Sequence, residues 1–352
     1  MKKNTRSLKF SEAVLEATDM MLQEDGSVIL MGLGVTDPMG IFGTTTGLSE
    51  KYPKQVIETP TAENGTMGIA IGSALVGSRP IITHQRVEFA LLAIEQITNQ
   101  AAKWYYMTGG LSSMPIVVRL IVGRGWGQGP QHSQSLDSWF AHVPGLKVVA
   151  PANAYDAKGL CIAAIRDNNP VVIIEHRWLH NTFGDVPEEA YETPIGKAKI
   201  ARRGKDLTIV SYSYMVTEAL MAAAELEKHD VDVEVIDLRS YRPLDIETIE
   251  QSVQKTGRLI TLDNGWIKYG IGAEIISTIV AKDVSWLKAS PVRLGIEDVP
   301  IPSSRGLANE VYPGQKAIVE AVGSQLGLEL SELINSLPDV SDIPNKSFTG
   351  PF

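Results

Sequence analysis

The length, composition and charge of the chain exclude several classes of protein before any motif is considered. Its 352 residues carry 41 acidic and 32 basic side chains, and the formal charge of −9 argues against broad binding to nucleic-acid backbones. The single cysteine, Cys161, excludes a disulfide framework and a cysteine-based zinc site. No apolar run reaches the roughly 18 residues of a membrane span, so we expect an acidic cytoplasmic protein. The length predicts two domains.

Strands and helices alternate along the first half of the chain. After a helix that begins near residue 10, the segments SVILMGLG, PIITH, PIVVRL, LKVVAP and PVVIIEH are predicted strands. The segments between them are predicted helices, and the longest covers residues 88–107. Continuous runs of Val and Ile between amphipathic helices are typical of a parallel sheet covered on both faces.

A polar, proline-containing segment then interrupts the alternation, and a second series follows with the predicted strands DLTIVSYS, VDVEVIDL, RLITLDN and PVRLGI. The pattern predicts an α/β protein with two doubly wound domains, over residues 1–185 and 205–330. Residues 186–204 are the predicted linker, and residues 331–352 a loose or docked tail. In such sheets, ligands bind on the loops at the carboxyl ends of the strands.

Two residues have positions that could suit catalysis. Glu63 lies near a predicted strand-to-helix junction, where taken alone it is best explained as a helix cap, since a helix N-terminus stabilises negative charge by about 0.3–1 kcal/mol. His132 ends a segment with glycines at positions 123, 125, 127 and 129, whose backbone can approach a ligand closely. Neither a P-loop nor a dinucleotide-binding glycine motif is present, which disfavours an ATP or NAD site.

About a dozen sequence blocks, in order and nearly constant in spacing, resemble the β subunit of the thiamine-diphosphate-dependent 2-oxo acid dehydrogenases. They include TPTAENG, AIEQITNQAAKWYYMTGG, QHSQS, PGLKVVAP, AIRDNNPVV and PIGKAKI, and later VIDLRSYRPLD, YGIGAEI and EDVPIP. The resemblance runs from about residue 8 to about residue 320. It implies a transketolase-like, pyrimidine-binding domain followed by a transketolase C-terminal-like domain.

The resemblance also implies roles for individual residues. Glu63 matches the glutamate that hydrogen-bonds N1′ of the cofactor pyrimidine, and this catalytic role replaces the cap interpretation. Phe89 matches the aromatic residue that stacks on the pyrimidine ring, with core packing as the alternative, and Gln85 lies in the same cofactor-binding block. His132 matches the histidine that meets the substrate and moves protons around the carbonyl carbon. A potassium-binding loop, for which a plain turn is an equally good interpretation, is implied at Ile116, Ala164, Ile165, Asp167 and Asn169.

The diphosphate-and-magnesium motif of this superfamily, GDG followed by an Asn, is not found in the chain. We therefore expect a separate α subunit to carry that motif and to hold most of the Mg²⁺ site, with an α2β2 assembly as the natural form. The resemblance further implies a lipoyl acyltransferase as a possible partner. Neither a nucleic acid nor a membrane is expected to bind.

The chain departs from the family pattern near the expected active site. Where relatives have one or two acids after the first strand, this chain has Leu33 and Gly34, which puts the proton network of the family in doubt. After the second strand, the EFMTFNF of the family is replaced by THQRVEF over residues 83–89, so only the last aromatic residue is kept. Arg86, Arg124 and Trp126 stand where relatives carry small or neutral residues. Compensating surface drift explains them as well as a pocket for an anionic or phosphorylated substrate does, since arginine pairs well with carboxylate and phosphate.

The leading hypothesis is therefore a β subunit that, with its α subunit, decarboxylates a 2-oxo acid and passes the acyl group to a lipoyl acceptor. A second hypothesis is a split transketolase-like enzyme, which would transfer a two-carbon unit or join it to an aldehyde. A third is a non-catalytic scaffold subunit. Retention of Glu63, Phe89 and His132 together argues against the third.

Overall fold

The computed structural model describes residues 5–124 and 128–339, so Trp126 lies outside the described residues. The strands are β1 Thr5–Lys9, β2 Val28–Gly32, β3 Val56–Glu58, β4 Arg79–His84, β5 Val117–Val122, β6 Lys147–Val149, β7 Val171–His176, β8 Phe183–Pro187, β9 Lys199–Arg202, β10 Leu207–Ser211, β11 Val233–Asp237, β12 Ser240–Arg242, β13 Leu259–Trp266 and β14 Val292–Ile296. The α-helices are α1 Phe10–Glu24, α2 Gly40–Gly43, α3 Leu48–Lys51, α4 Glu63–Leu75, α5 Ala102–Met107, α6 Gly129–His132, α7 Asp137–Ala141, α8 Ala154–Arg166, α9 Tyr214–Glu227, α10 Ile246–Thr256, α11 Ile271–Asp283, α12 Arg305–Val311, α13 Gln315–Leu326 and α14 Ser331–Ser336.

The chain divides into two compact units. Among the described residues, the first unit contains 5–123 and 139–195, and the second contains 124, 128–138 and 196–339. The segment that carries His132 therefore groups with the second unit, although the sequence pattern assigns it to the first domain. Strand β9 lies within the predicted linker, and α14 lies within the predicted tail.

The first unit is built on a parallel sheet with the strand order β6-β7-β5-β4-β2-β3. All six residues of β5 and all six of β7 are buried, as the runs of Val and Ile predict for central strands of a covered sheet. Helices α1 and α8 pack against each other, and β1 pairs with β8 as a separate antiparallel ribbon. The predicted parallel α/β architecture is confirmed.

The long helix predicted over residues 88–107 is present, but it is not uniform. It begins as a 3₁₀ segment, Phe89–Ala93, continues through a π-helical segment, Gln96–Ala101, and ends as α5. Compared with a regular α-helix, a π-helical segment contains one extra residue, and such segments are frequent at functional sites. Phe89 therefore stands at the start of an irregular helix.

The second unit contains a five-stranded sheet in the order β14-β13-β10-β11-β9. The first four of these strands are parallel, and β9 joins the edge in the antiparallel direction. The strands β10, β11, β13 and β14 coincide with the four strands predicted from the second sequence series. This unit confirms the second doubly wound domain.

A buried ion pair joins two neighbouring strands at the centre of the first sheet. Arg119 of β5 donates from Nε and Nη2 to the two carboxylate oxygens of Glu175 of β7, at 2.6 and 3.0 Å, and both residues are fully buried. Nε2 of His180 lies 3.4 Å from the same carboxylate. Burial alone would raise the pKa of Glu175, but Arg119 and His180 outweigh burial and hold that pKa well below its usual range. The carboxylate is therefore charged inside the core.

We expect Arg119→Met to lower the free energy of unfolding by about 3–5 kcal/mol, because it leaves the Glu175 carboxylate buried without its cation. The double variant Arg119→Met with Glu175→Leu should recover most of that loss, since well-packed apolar residues can replace a buried pair at little net cost. Urea unfolding of the two variants and the wild-type chain measures both quantities. Equal stability of the single and double variants would contradict this account.

Candidate active site

A small pocket opens in the first unit at the carboxyl ends of β2 and β4, where parallel α/β sheets bind ligands. The start of α4 and the start of the long helix close its other sides. Its lining residues include Leu33, Glu63, Thr83, His84, Gln85 and Phe89. The pocket therefore brings together the three residues of this unit that the sequence assigns to cofactor binding, namely Glu63, Gln85 and Phe89.

At the pocket, the end of β2 and the loop after it lie very close to the end of β4 and the loop after that. Gly32 pairs with Thr83 across β2 and β4, and a Cβ added at Gly32 would lie 2.7 Å from the carbonyl oxygen of Thr83. Gly34 has a φ of +78°, and a Cβ added there would lie 2.5 Å from Nε2 of Gln85. Gln85 itself donates from Nε2 to the carbonyl oxygen of Leu33 at 3.0 Å. The Gln85 amide thus fills the space beside Gly34, so a side chain at this position would have to displace that amide and adopt a strained positive φ.

The nearby Glu58 does not replace the missing acid. Its carboxylate accepts hydrogen bonds from the backbone N–H of Gly34 and from the N–H and hydroxyl of Thr36, at 2.5, 3.0 and 2.9 Å. These bonds hold the loop that follows β2. Among the described residues that line the pocket, Glu63 is the acid and His84 is the imidazole.

Glu63 is the first residue of α4 and is half-buried. The N-cap of this helix is Ala62, which has no side-chain capping bond, so Glu63 does not act as the N-cap residue. A carboxylate in the first turn of a helix lies near the positive end of the helix dipole, which stabilises its charge. The structure therefore places a carboxylate on the wall of the pocket.

His84 is a functional candidate that the sequence reasoning did not assign. It is the last residue of β4 and is 5% exposed. Burial lowers the pKa of His84 to about 4, so the imidazole is neutral near pH 7. Its Nε2 and the hydroxyl of Thr83 are buried and have no hydrogen-bond partner among the described residues. The sequence feature that could have indicated His84 is that Thr83, His84 and Gln85 stand where the family has EFM.

His132 lies in the second unit, at the end of the short helix α6, and is half-buried. Gly129, the first residue of α6, has a φ of +73°, which a side chain would strain. A Cβ at Gly129 would also lie 2.6 Å from the hydroxyl of Ser303. At this position the glycine-dense segment needs a glycine for its backbone conformation.

Arg124 is held by aromatic and polar groups of its own unit. It is 6% exposed, and its guanidinium lies 5.2 Å from the ring centre of Tyr214 and 4.7 Å from that of Tyr312. It also donates to the carbonyl oxygen of Pro313 at 3.3 Å and lies 4.0 Å from the Glu218 carboxylate. These contacts favour a structural role over the predicted contact with substrate.

Arg86 is half-buried, and burial lowers its pKa. Arg177 stacks over Phe42 with a distance of 4.5 Å to the ring centre. Burial, and then the charge of Arg86, lower the pKa of Arg177 to about 10. The two guanidinium groups therefore influence each other near the carboxyl ends of β4 and β7, while the charge of Glu88 raises the pKa of Arg86.

The residues of the predicted potassium loop lie together in the first unit, where groups of the chain already use their oxygens. Arg79 donates to the carbonyl oxygens of Ile165 and Asp167, both at 3.1 Å, and the Lys147 ammonium pairs with the Asp167 carboxylate. Within residues 5–124 and 128–339, no cluster of three His, Cys, Asp or Glu side chains could hold a metal ion. The potassium site stays a prediction.

The lining of the pocket fits an aminopyrimidine ring. Phe89 offers an aromatic face, Glu63 offers a carboxylate to a ring nitrogen, and His84 and Thr83 offer polar atoms that lack partners. A separate observation concerns the helices: in the described parts of the chain, none is long and apolar enough to cross a membrane.

We expect Arg124→Ala to lower the free energy of unfolding by about 2–4 kcal/mol, because two cation–π contacts and a buried hydrogen bond are lost. Arg124→Lys should recover only part of this, since an ammonium lacks the flat guanidinium that lies against both rings. Chemical denaturation measures the stability of each variant. An unchanged stability with a raised KM for an accepted substrate would instead assign Arg124 to the substrate.

Comparisons with known proteins agree with the two-domain fold. Residues 6–181 match the pyrimidine binding domain of transketolase, and residues 196–318 match the transketolase C-terminal domain. The chain is 44% identical to the mitochondrial pyruvate dehydrogenase E1 component subunit beta of Bos taurus over 90% of each chain. It is 41% identical to the corresponding subunit of Rhizobium meliloti, over 88% of this chain and 68% of that one.

Among solved structures, a split gene transketolase, described as an inactive β4 tetramer, covers 91% of this chain with a TM-score of 0.73. The match includes 99% of that chain at 22% sequence identity, and it supports the fold. Together, the two matched domains and the relatives above 40% identity define the family. The chain belongs to the β subunits of the thiamine-diphosphate-dependent 2-oxo acid dehydrogenases, within the transketolase-like enzymes.

Proposed function

We propose that the pocket at Glu63 binds the pyrimidine ring of thiamine diphosphate and that the chain takes part in the oxidative decarboxylation of a 2-oxo acid. One observation carries the proposal: Glu63, at the start of α4, lines the same pocket at the carboxyl ends of parallel strands as Gln85 and Phe89, which follow β4. The pyruvate dehydrogenase relatives support this class of substrate.

When bound, thiamine diphosphate supplies the carbon that attacks the 2-oxo group and the electron sink that allows CO₂ to leave. In the proposed mechanism, the Glu63 carboxylate holds a proton at the ring nitrogen N1′. The ring of Phe89 orients the pyrimidine by stacking, and Leu33 and Ile82 keep water from the apolar part of the pocket. His132 would carry protons to and from the substrate.

The proposed holoenzyme needs a second kind of subunit. The sequence lacks the GDG…N motif, so an α subunit would hold the diphosphate and Mg²⁺, in an α2β2 assembly. Relatives are described as subunit beta of an E1 component, which supports a partner chain. A lipoyl acyltransferase would accept the acyl group, and K⁺ would bind the loop around Asp167. A cytoplasmic location stays a prediction, since the Bos taurus relative is described as mitochondrial.

A split transketolase-like enzyme with an anionic or phosphorylated substrate is the second candidate. The observation that favours it is the pair Arg86 and Arg177, two guanidinium groups close enough for the charge of one to lower the pKa of the other. An anionic substrate group near both would interact favourably with the two guanidinium groups, in addition to the Glu88 carboxylate that already acts on Arg86. The non-catalytic scaffold is disfavoured, because the chain retains the Glu63 pocket and His132.

We expect Glu63→Gln, in the complex with the α subunit, to lower kcat by about 10²- to 10⁴-fold, the usual contribution of a proton-transferring side chain. Thiamine diphosphate should still bind. The measurements are 2-oxo acid-dependent dye reduction and a cofactor titration. Glu332→Gln is the matched control, because Glu332 is an exposed glutamate in the first turn of another helix. Full activity of Glu63→Gln would refute the assigned role.

The same complex distinguishes the two candidate functions. With thiamine diphosphate and Mg²⁺ added, we expect dye reduction with a 2-oxo acid and no transfer of a two-carbon unit to an aldose. Transfer to an aldose without dye reduction would establish the transketolase-like candidate. If neither activity appears in a cofactor-loaded complex, and Glu63→Gln loads equally well, the chain is a scaffold.

A further inference from the structure

Two neighbouring pocket residues, Thr83 and His84, each have a buried polar side-chain atom that makes no hydrogen bond within the described residues. His84 is 5% exposed, and the atom concerned is its Nε2. Thr83 lines the same pocket and is 2% exposed, and its hydroxyl is also buried without a hydrogen-bond partner among the described residues. A buried polar atom without a partner destabilises a folded chain, so two of them in one small pocket point to a ligand that completes their bonds.

The chemistry of the imidazole narrows the kind of ligand. A neutral imidazole has one N–H donor and one nitrogen acceptor, and burial keeps His84 neutral. It therefore suits an uncharged polar edge better than a phosphate or a carboxylate. An aminopyrimidine has such an edge, with ring nitrogens that accept and an exocyclic amine that donates.

The position of His84 is consistent with such a contact. Glu63, proposed for N1′, and Phe89, proposed to stack on the ring, line the same pocket. The loop after β2 supplies Leu33 and Gly34 in place of an acid, and the space beside Gly34 is filled by Gln85. Of the two titratable side chains on the described pocket wall, Glu63 and His84, His84 is the one without an assigned task.

We propose that Nε2 of His84 hydrogen-bonds the polar edge of the cofactor pyrimidine, as a second side-chain contact beside that of Glu63. His84 is then a cofactor-binding residue that the family pattern, with phenylalanine at this position, does not provide. The inference rests on the proposed function, because it takes thiamine diphosphate as the ligand of the Glu63 pocket.

The test measures cofactor affinity and the stability of the cofactor-free protein in the complex with the α subunit. His84→Phe should raise the Kd for thiamine diphosphate about 3- to 10-fold, the effect of one lost hydrogen bond. The same variant should leave the cofactor-free unfolding midpoint unchanged or raise it, because it removes a buried polar atom that has no partner. A purely structural histidine would show the opposite, a lower midpoint.

Further variants complete the test. His84→Gln retains a donor and an acceptor and should hold the Kd within about twofold of the wild-type value. If His84→Phe does not fold, His84→Leu takes its place, with the same expected rise in the Kd. His142→Gln, at an exposed position, is the control and should change neither quantity. If wild-type complex does not bind thiamine diphosphate, the proposed function fails and His84 has no cofactor to contact. If it binds, and His84→Phe binds equally well, only the His84 inference is overturned.

Discussion

The buried ion pair between Arg119 and Glu175 constrains how the central strands of the first unit align, and the position of the pocket follows from that alignment. A parallel strand that slips by one residue moves every side chain to the other face of the sheet, and here such a slip would separate two buried charges. The pair therefore fixes the alignment of β5 against β7. Because β4 pairs with β5, the same alignment determines where β4 ends along the sheet. Thr83 and His84, the last two residues of β4, therefore lie at the pocket.

The pocket departs from the family pattern in a coherent way. Relatives place an acid in the loop after the first strand of the sheet, whereas here Gly34 leaves that space to the amide of Gln85, which is bonded to the backbone of Leu33. The change to Gln85 after β4 and the change to Leu33 and Gly34 after β2 are therefore linked by direct contact. The pocket wall thus combines the Glu63 carboxylate with the uncharged polar side chains of Thr83, His84 and Gln85. Arg86 adds positive charge at the same edge of the sheet, close to Arg177.

The sequence predicted the two sheets and the Glu63 pocket because both follow from local patterns, namely runs of Val and Ile and the blocks shared with the family. It proposed a substrate contact for Arg124 and could not foresee the structural contacts, because the partners Tyr214 and Tyr312 lie far along the chain and become neighbours only on folding. It also assigned no role to His84, which lines the pocket, because a single histidine at the end of an apolar strand is usually a core residue. Trp126 lies outside the described residues, so its predicted role stays a prediction.

The π-helical segment Gln96–Ala101 bears on how this chain should be compared with relatives. Successive residues of an α-helix are about 100° apart around its axis, so removing one residue from the segment would rotate everything that precedes it by about that angle. Phe89 precedes it. An alignment with a one-residue gap within 96–101 could therefore keep the phenylalanine letter and yet turn its ring away from the pocket. For this family, the helix length between the aromatic residue and α5 is as informative as the aromatic residue itself.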